Sequence, residues 1–185
     1  MRDGEFFTSI GEGRTIALLL ALKDAPAQLI LKDLLPIMNH TQTLRSRIDR
    51  MQSEGLVNVD VILEAHKKVA VSLTDLGKEA ALLFSMANLS VSPGKELKEK
   101  SIDLRHADPI LRMLCGKEYV VQKDIIGMLH SYDTVIKVLS VMEKDGLVIK
   151  VDNRQGGWEI RYSLTPLGRQ IADVFQAVHS KISSP

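Results

Sequence analysis

Two stretches of this chain repeat each other at a fixed separation of 91 residues. Gly55-Leu56-Val57 returns as Gly146-Leu147-Val148, and Ser72-Leu73-Thr74-Asp75-Leu76-Gly77 returns as Ser163-Leu164-Thr165-Pro166-Leu167-Gly168. The same shift, without a gap, lays Arg14 on Arg105, Leu20 on Leu111, Lys32-Asp33 on Lys123-Asp124, Thr43 on Thr134 and Met51 on Met142. One register held over that length reads as two copies of one folding unit rather than two chance motifs. The 185 residues divide accordingly into an N-terminal domain over 1–89, a charged linker over 90–106 and a C-terminal domain over 107–185. Each domain is long enough to bury a modest core without staples.

Composition narrows the class. An apolar share of 45% with 25% charged residues suits a folded, soluble protein. Aromatics at 4% are too few for base-stacking platforms that hold single strands. The longest apolar run, Ile16 to Leu22, is too short to span a membrane, and Met1-Arg2-Asp3-Gly4-Glu5 does not open a secretory signal. A lone Cys115 excludes an internal disulfide and fits a reducing, cytoplasmic setting. The net charge is only +1, so any basic footprint must be local.

Periodicity orders the elements. Ile16, Leu19 and Leu20 predict a first helix over 13–24, ended by Ala25-Pro26. A second apolar stretch over 29–38 turns Ile30, Leu34 and Leu35 inward, and Pro36 should kink or end it early. Leu44, Ile48 and Met51 form the buried stripe of a third helix over 41–53, closed by Gly55. Residues 56–63 and 69–73 read as an antiparallel hairpin around the basic tip His66-Lys67-Lys68. Thr74 then caps a closing helix to about Leu89. The second copy repeats the order, with helices over 107–116, 122–130 and 132–145 and strands over 147–152 and 158–164. Thr165 and Pro166 start a final helix striped by Leu167, Ile171, Val174, Val178 and Ile182. The expected fold class is α+β, mostly α: three helices, a two-stranded wing and a closing helix, twice in tandem. That is the order of a winged helix-turn-helix.

The string TQTLRSRIDRMQSEGLV at 41–57 resembles the recognition helix of MarR-type transcriptional regulators and related winged-helix repressors. Thr43, Leu44, Ile48, Asp49-Arg50, Met51 and Gly55-Leu56-Val57 hold the places that carry the likeness. The SLTDLG and SLTPLG strings resemble the family's junction between the second wing strand and the last helix. The likeness covers roughly 75 residues of each copy. It implies a fold and a mode of DNA contact, but not the family's dimer geometry, because those proteins carry one winged helix per chain.

A recognition helix must offer donors to the groove and keep its apolar stripe inward. In the first copy Arg45 has the fork to pair with guanine, and Gln42 the amide to pair with adenine. Thr43 and Ser46 lie in the same exposed turns, while Thr41, Arg47 and Arg50 are candidates for phosphate contact. His66, Lys67 and Lys68 would reach a minor groove or the flanking backbone. The second copy offers Thr134, Lys137 and, in its wing, Arg154. It carries Ile136 and Val138 where the first has Arg45 and Arg47, a swap expected to leave an apolar patch that meets DNA or another protein.

Other chemistry lacks residues. His40, His66, His106, His130 and His179 show no ligand spacing with Cys115, so no metal or cofactor is expected. Gly11-Glu12-Gly13 has no strand before it to make a phosphate loop. No catalytic group stands out, and an enzyme is not expected. The sequence therefore points to a regulator of transcription that binds double-stranded DNA, with the C-terminal helix or second domain as the candidate homodimer surface and with Phe6, Phe7 and Ile10 placed to pack on it or on a partner. The alternative is a protein-interaction module, since chromosome-segregation subunits of the ScpB type resemble the same two-winged-helix layout with near-neutral charge.

Overall fold

The computed structural model describes residues 9–63, 67–91, 102, 104–151 and 159–183, the side chains of 63, 67 and 88–91 excepted. Left-handed residues punctuate its elements. Arg14 (φ 69°) leads into α1 (Thr15–Asp24), and Asn39 (φ 67°) separates α2 (Leu31–Met38) from α3 (Thr41–Ser53). Gly55 (φ 71°) turns the chain out of α3 into the hairpin of β2 (Val57–Leu63) and β3 (Lys67–Leu73), and α4 (Asp75–Val91) closes the half. The second half punctuates at His106 (φ 73°), His130 (φ 50°) and Gly146 (φ 75°). Its elements are α5 (Ala107–Leu114), α6 (Gln122–Leu129), α7 (Tyr132–Lys144), β5 (Val148–Val151), β6 (Arg161–Leu164) and α8 (Pro166–Ser183).

Each sheet has a third strand that the hairpin reading missed. Leu29–Ile30 forms β1 and pairs with Val71 and Ala70 of β3; Val120–Val121 forms β4 and pairs with Tyr162 and Arg161 of β6. Both sheets are antiparallel, in the orders β1-β3-β2 and β4-β6-β5. The two-stranded wing is therefore corrected to a three-stranded sheet, and residues 29–38 are a strand followed by a helix. Pro36 does not end α2 early. The helix runs two residues past it to Met38, and Asn39 N–H still reaches the Leu35 carbonyl at 2.8 Å.

The repeated strings have a structural reason. Thr74 Oγ1 donates to the Gly55 carbonyl at 2.6 Å and accepts from Gly77 N–H at 3.0 Å, capping α4 while tying it to the end of α3. Thr165 does the same with Gly146 at 2.6 Å and Gly168 at 2.9 Å. The capped helix then lies so close that a Cβ on Gly77 would stand 1.9 Å from the Leu56 carbonyl oxygen, and one on Gly168 1.9 Å from that of Leu147. Glycine is thus required at both sites, and the two glycine-to-glycine spans share one spacing.

Apolar packing joins the halves. Leu18, Leu19, Leu34, Leu44, Ile48, Met51 and Leu56 fill the first core; Ile110, Leu111, Ile125, Val135, Leu139, Met142 and Leu147 fill the second. α4 and α8 pack on each other, and Phe84 meets Phe175 edge to face with centroids 5.1 Å apart. α8 also packs on α5, where the buried Asp108 carboxylate receives Arg112 at 2.8 and 3.1 Å and lies 2.9 Å from His179 Nε2. The apolar stripe of α8, read as a candidate dimer surface, is thus covered within the chain: Ile171, Phe175 and Val178 are buried. Ile10 is buried too, whereas Phe6 and Phe7 lie outside the described residues. Of the 90–106 linker, α4 takes the start up to Val91. No helix among the described residues is long and apolar enough to cross a membrane.

Candidate nucleic-acid interface

α3 spans Thr41–Ser53, as its periodicity dictates, and Leu44, Ile48 and Met51 are fully buried. Thr41, Gln42, Thr43, Arg45, Ser46 and Asp49 are exposed. Arg45 is exposed and makes no hydrogen bond or ion pair with any described residue. The structure brings these groups together on one outward helical face, and β2 and β3 follow α3 directly.

Arg47 and Arg50 behave differently from the phosphate contacts expected of them. Position 47 lies one turn from Leu44 and Met51, on the apolar stripe, and its side chain is only 10% exposed. Its guanidinium donates to the Glu12 and Gly13 carbonyls at 3.1 and 2.9 Å and to Thr15 Oγ1, and pairs with the Glu12 carboxylate at 2.6 Å. Arg50 pairs with Glu12 as well and lies 3.4 Å from Glu54. Glu54 in turn accepts from Ser9 N–H at 2.8 Å. These cations bind the segment before α1 against the back of α3. A charge neutralised this way is a poor phosphate ligand.

The same cleft, about 410 Å³ in volume, is lined by Arg47, Arg50, Arg105 and His106 together with Gly11, Glu12 and Gly13. Burial, and secondarily the Arg105 charge, hold the His106 imidazole below its ordinary value of 6.5.

On the hairpin, Lys68 is exposed on β3, whereas His66 and the side chain of Lys67 lie outside the described residues. Arg154 lies outside them too. Arg161 is half-buried, its guanidinium 4.4 Å from the centre of the Tyr119 ring and 3.7 Å from the Glu159 carboxylate.

In the second half, α7 corrects the expected apolar patch. Val138 is buried and Ile136 half-buried, so neither swapped aliphatic forms an open surface. Val138 takes the inward place that Arg47 takes in α3. The outer face of α7 instead shows Tyr132, 62% exposed, with Asp133, Lys137, Ser140 and Lys144 exposed and Thr134 half-buried. Lys137 and Lys144 have no hydrogen-bond or ion-pair partner among the described residues. Residue reading missed Lys144, and its signal was the register: it stands where α3 has Ser53. With Arg47 buried and Arg50 paired, Arg45 is left as the outward cation of α3, against Lys137 and Lys144 on α7, among the described residues.

No group of three metal-binding side chains occurs among the described residues. No protein-family model matches the chain, and no curated protein matches it.

Proposed function

We propose that this chain is a DNA-binding regulator built from two winged helix-turn-helix units, with α3 as the recognition helix of the first. Arg45 carries the reading. It is exposed and unpaired among Thr41, Gln42, Thr43 and Ser46, on a helix reached through the tight turn at Asn39 and followed by a β-hairpin bearing Lys68. A guanidinium so placed suits the O6 and N7 acceptors of guanine, and the small hydroxyls around it suit backbone phosphates. Fluorescence anisotropy with duplexes enriched from a random-sequence pool tests it. Affinity should fall steeply as salt rises, and Arg45→Ala should lose about 1–3 kcal/mol on the enriched duplex. No binding at low salt rejects the proposal.

A second reading, a protein-interaction module, draws on different residues. Leu82 and Met86 are exposed one turn apart on α4, and Tyr132 is exposed on α7. A defined partner bound in fixed stoichiometry, together with no duplex affinity, would select it.

A further inference from the structure

We infer that one molecule engages two adjacent, unlike half-sites of a duplex, as the single-chain counterpart of a twofold dimer; this rests on the DNA-binding reading above. Three observations carry it.

The first is which residues meet between the halves. Phe84 and Phe175 occupy the same place in the repeat, 91 residues apart, and they touch each other. α4 and α8, the helices that carry them, are equivalent elements and pack together. Lys181 of α8 also pairs with Glu79 of α4 at 2.8 Å, on the C-terminal side of Phe175 and the N-terminal side of Phe84, so the two helices run antiparallel across the ring contact. Contact of a patch with its own equivalent is the signature of an isologous, twofold interface; head-to-tail units join unlike patches. Helices α3 and α7 are therefore related as the paired helices of a dimer are.

The second is that the two outer faces differ. Superposed by register, Thr41, Gln42, Arg45, Ser46, Asp49 and Ser53 of α3 stand where α7 has Tyr132, Asp133, Ile136, Lys137, Ser140 and Lys144. The bidentate guanine reader at Arg45 has no counterpart in α7, where the half-buried Ile136 holds its place. The point charges of Lys137 and Lys144 suit phosphate or a single acceptor. Two such faces select different bases, so the preferred site is not a palindrome.

The third is that the surface a second copy would need is used. Ile171, Phe175 and Val178 of α8 are buried against the chain's own helices, so this stripe is closed to a second copy.

The test takes the full chain and a duplex enriched from a random-sequence pool, long enough for two half-sites about 10 base pairs apart. Sedimentation of the complex should give one chain per duplex. Hydroxyl-radical footprinting should give two protected patches of unlike sequence about one helical turn apart. Arg45→Ala should weaken protection of one patch, and Lys137→Ala with Lys144→Ala that of the other. Two chains per duplex, a palindromic site, or one patch that vanishes with Arg45→Ala would overturn the inference and leave DNA binding standing. No complex with any duplex at low salt would remove both.

Discussion

Gly77→Ala offers a direct test of why the repeated strings exist. The added Cβ would lie 1.9 Å from the Leu56 carbonyl oxygen, and carbon–oxygen contacts below 3.0 Å are essentially never seen, so α4 would have to retreat by the difference, about 1.1 Å. Such a retreat stretches the bonds that bind the helix start to the end of α3. They are Thr74 Oγ1 to Gly55 O at 2.6 Å, Thr74 Oγ1 to Leu56 O at 3.1 Å and Thr74 N to Leu56 O at 3.1 Å. At about 1 kcal/mol each, losing them costs roughly 3 kcal/mol. The better helix propensity of alanine offsets about 1 kcal/mol, which leaves a net loss of about 2 kcal/mol. Gly127→Ala is the matched control: it too sits inside a helix, is exposed, and has nothing within 4 Å of the new carbon. There only propensity acts, and the protein should gain about 0.5–1 kcal/mol. Urea unfolding followed by circular dichroism reads both, with the midpoint falling by about 1 M for Gly77→Ala and rising for Gly127→Ala. Gly77→Ala equal to or more stable than Gly127→Ala would refute the close-approach reasoning.

Arg47→Ala should destabilise the fold by about 1–3 kcal/mol, because it leaves the Glu12 and Gly13 carbonyls without their donor. Arg45→Ala should leave thermal unfolding unchanged, so differential scanning calorimetry separates the two arginines. Phe84→Ala and Phe175→Ala should each cost about 3–5 kcal/mol, and the double mutant should recover a coupling of about 0.5–1.5 kcal/mol for the edge-to-face pair; strict additivity would show that the rings do not interact. His106 titrates below its ordinary value when folded, so the unfolded chain binds more protons between the two values and stability must fall as pH drops through about 6.5. His106→Asn tolerates the left-handed backbone and should flatten that part of the pH profile measured by chemical unfolding.

Much of the fold was readable because its signals are local. The span of α3, the turns at Gly55 and Gly146 and the caps at Thr74 and Thr165 each follow from a short pattern with one physical solution. Strands β1 and β4 escaped because two residues cannot display a period, and Leu29-Ile30 merged with the apolar run of α2. Arg47 was misread because a cation on a helix suggests solvent. Yet its spacing from Leu44 and Met51 put it on the inner face, and Val138 at the same register in the second copy marked that face as buried. Its carboxylate partner, Glu12, lies in a glycine-flanked turn with no pattern linking it to α3. The apolar patch expected on α7 is absent for the same reason, since Val138 holds that inner position. Pairing across distant segments decided these sites, and no local pattern encodes it.

The meeting of Phe84 with Phe175 also bears on how this protein responds to abundance. Subunits of an ordinary homodimer part on dilution, so the assembled form depends on the square of protomer concentration. Here the partner rings belong to one polypeptide, and the local concentration of each around the other is fixed by chain length. Their association survives at vanishing copy number, and the unfolding temperature should not move with dilution. A substitution in either half, moreover, changes only that half, whereas every substitution in a homodimer is made twice.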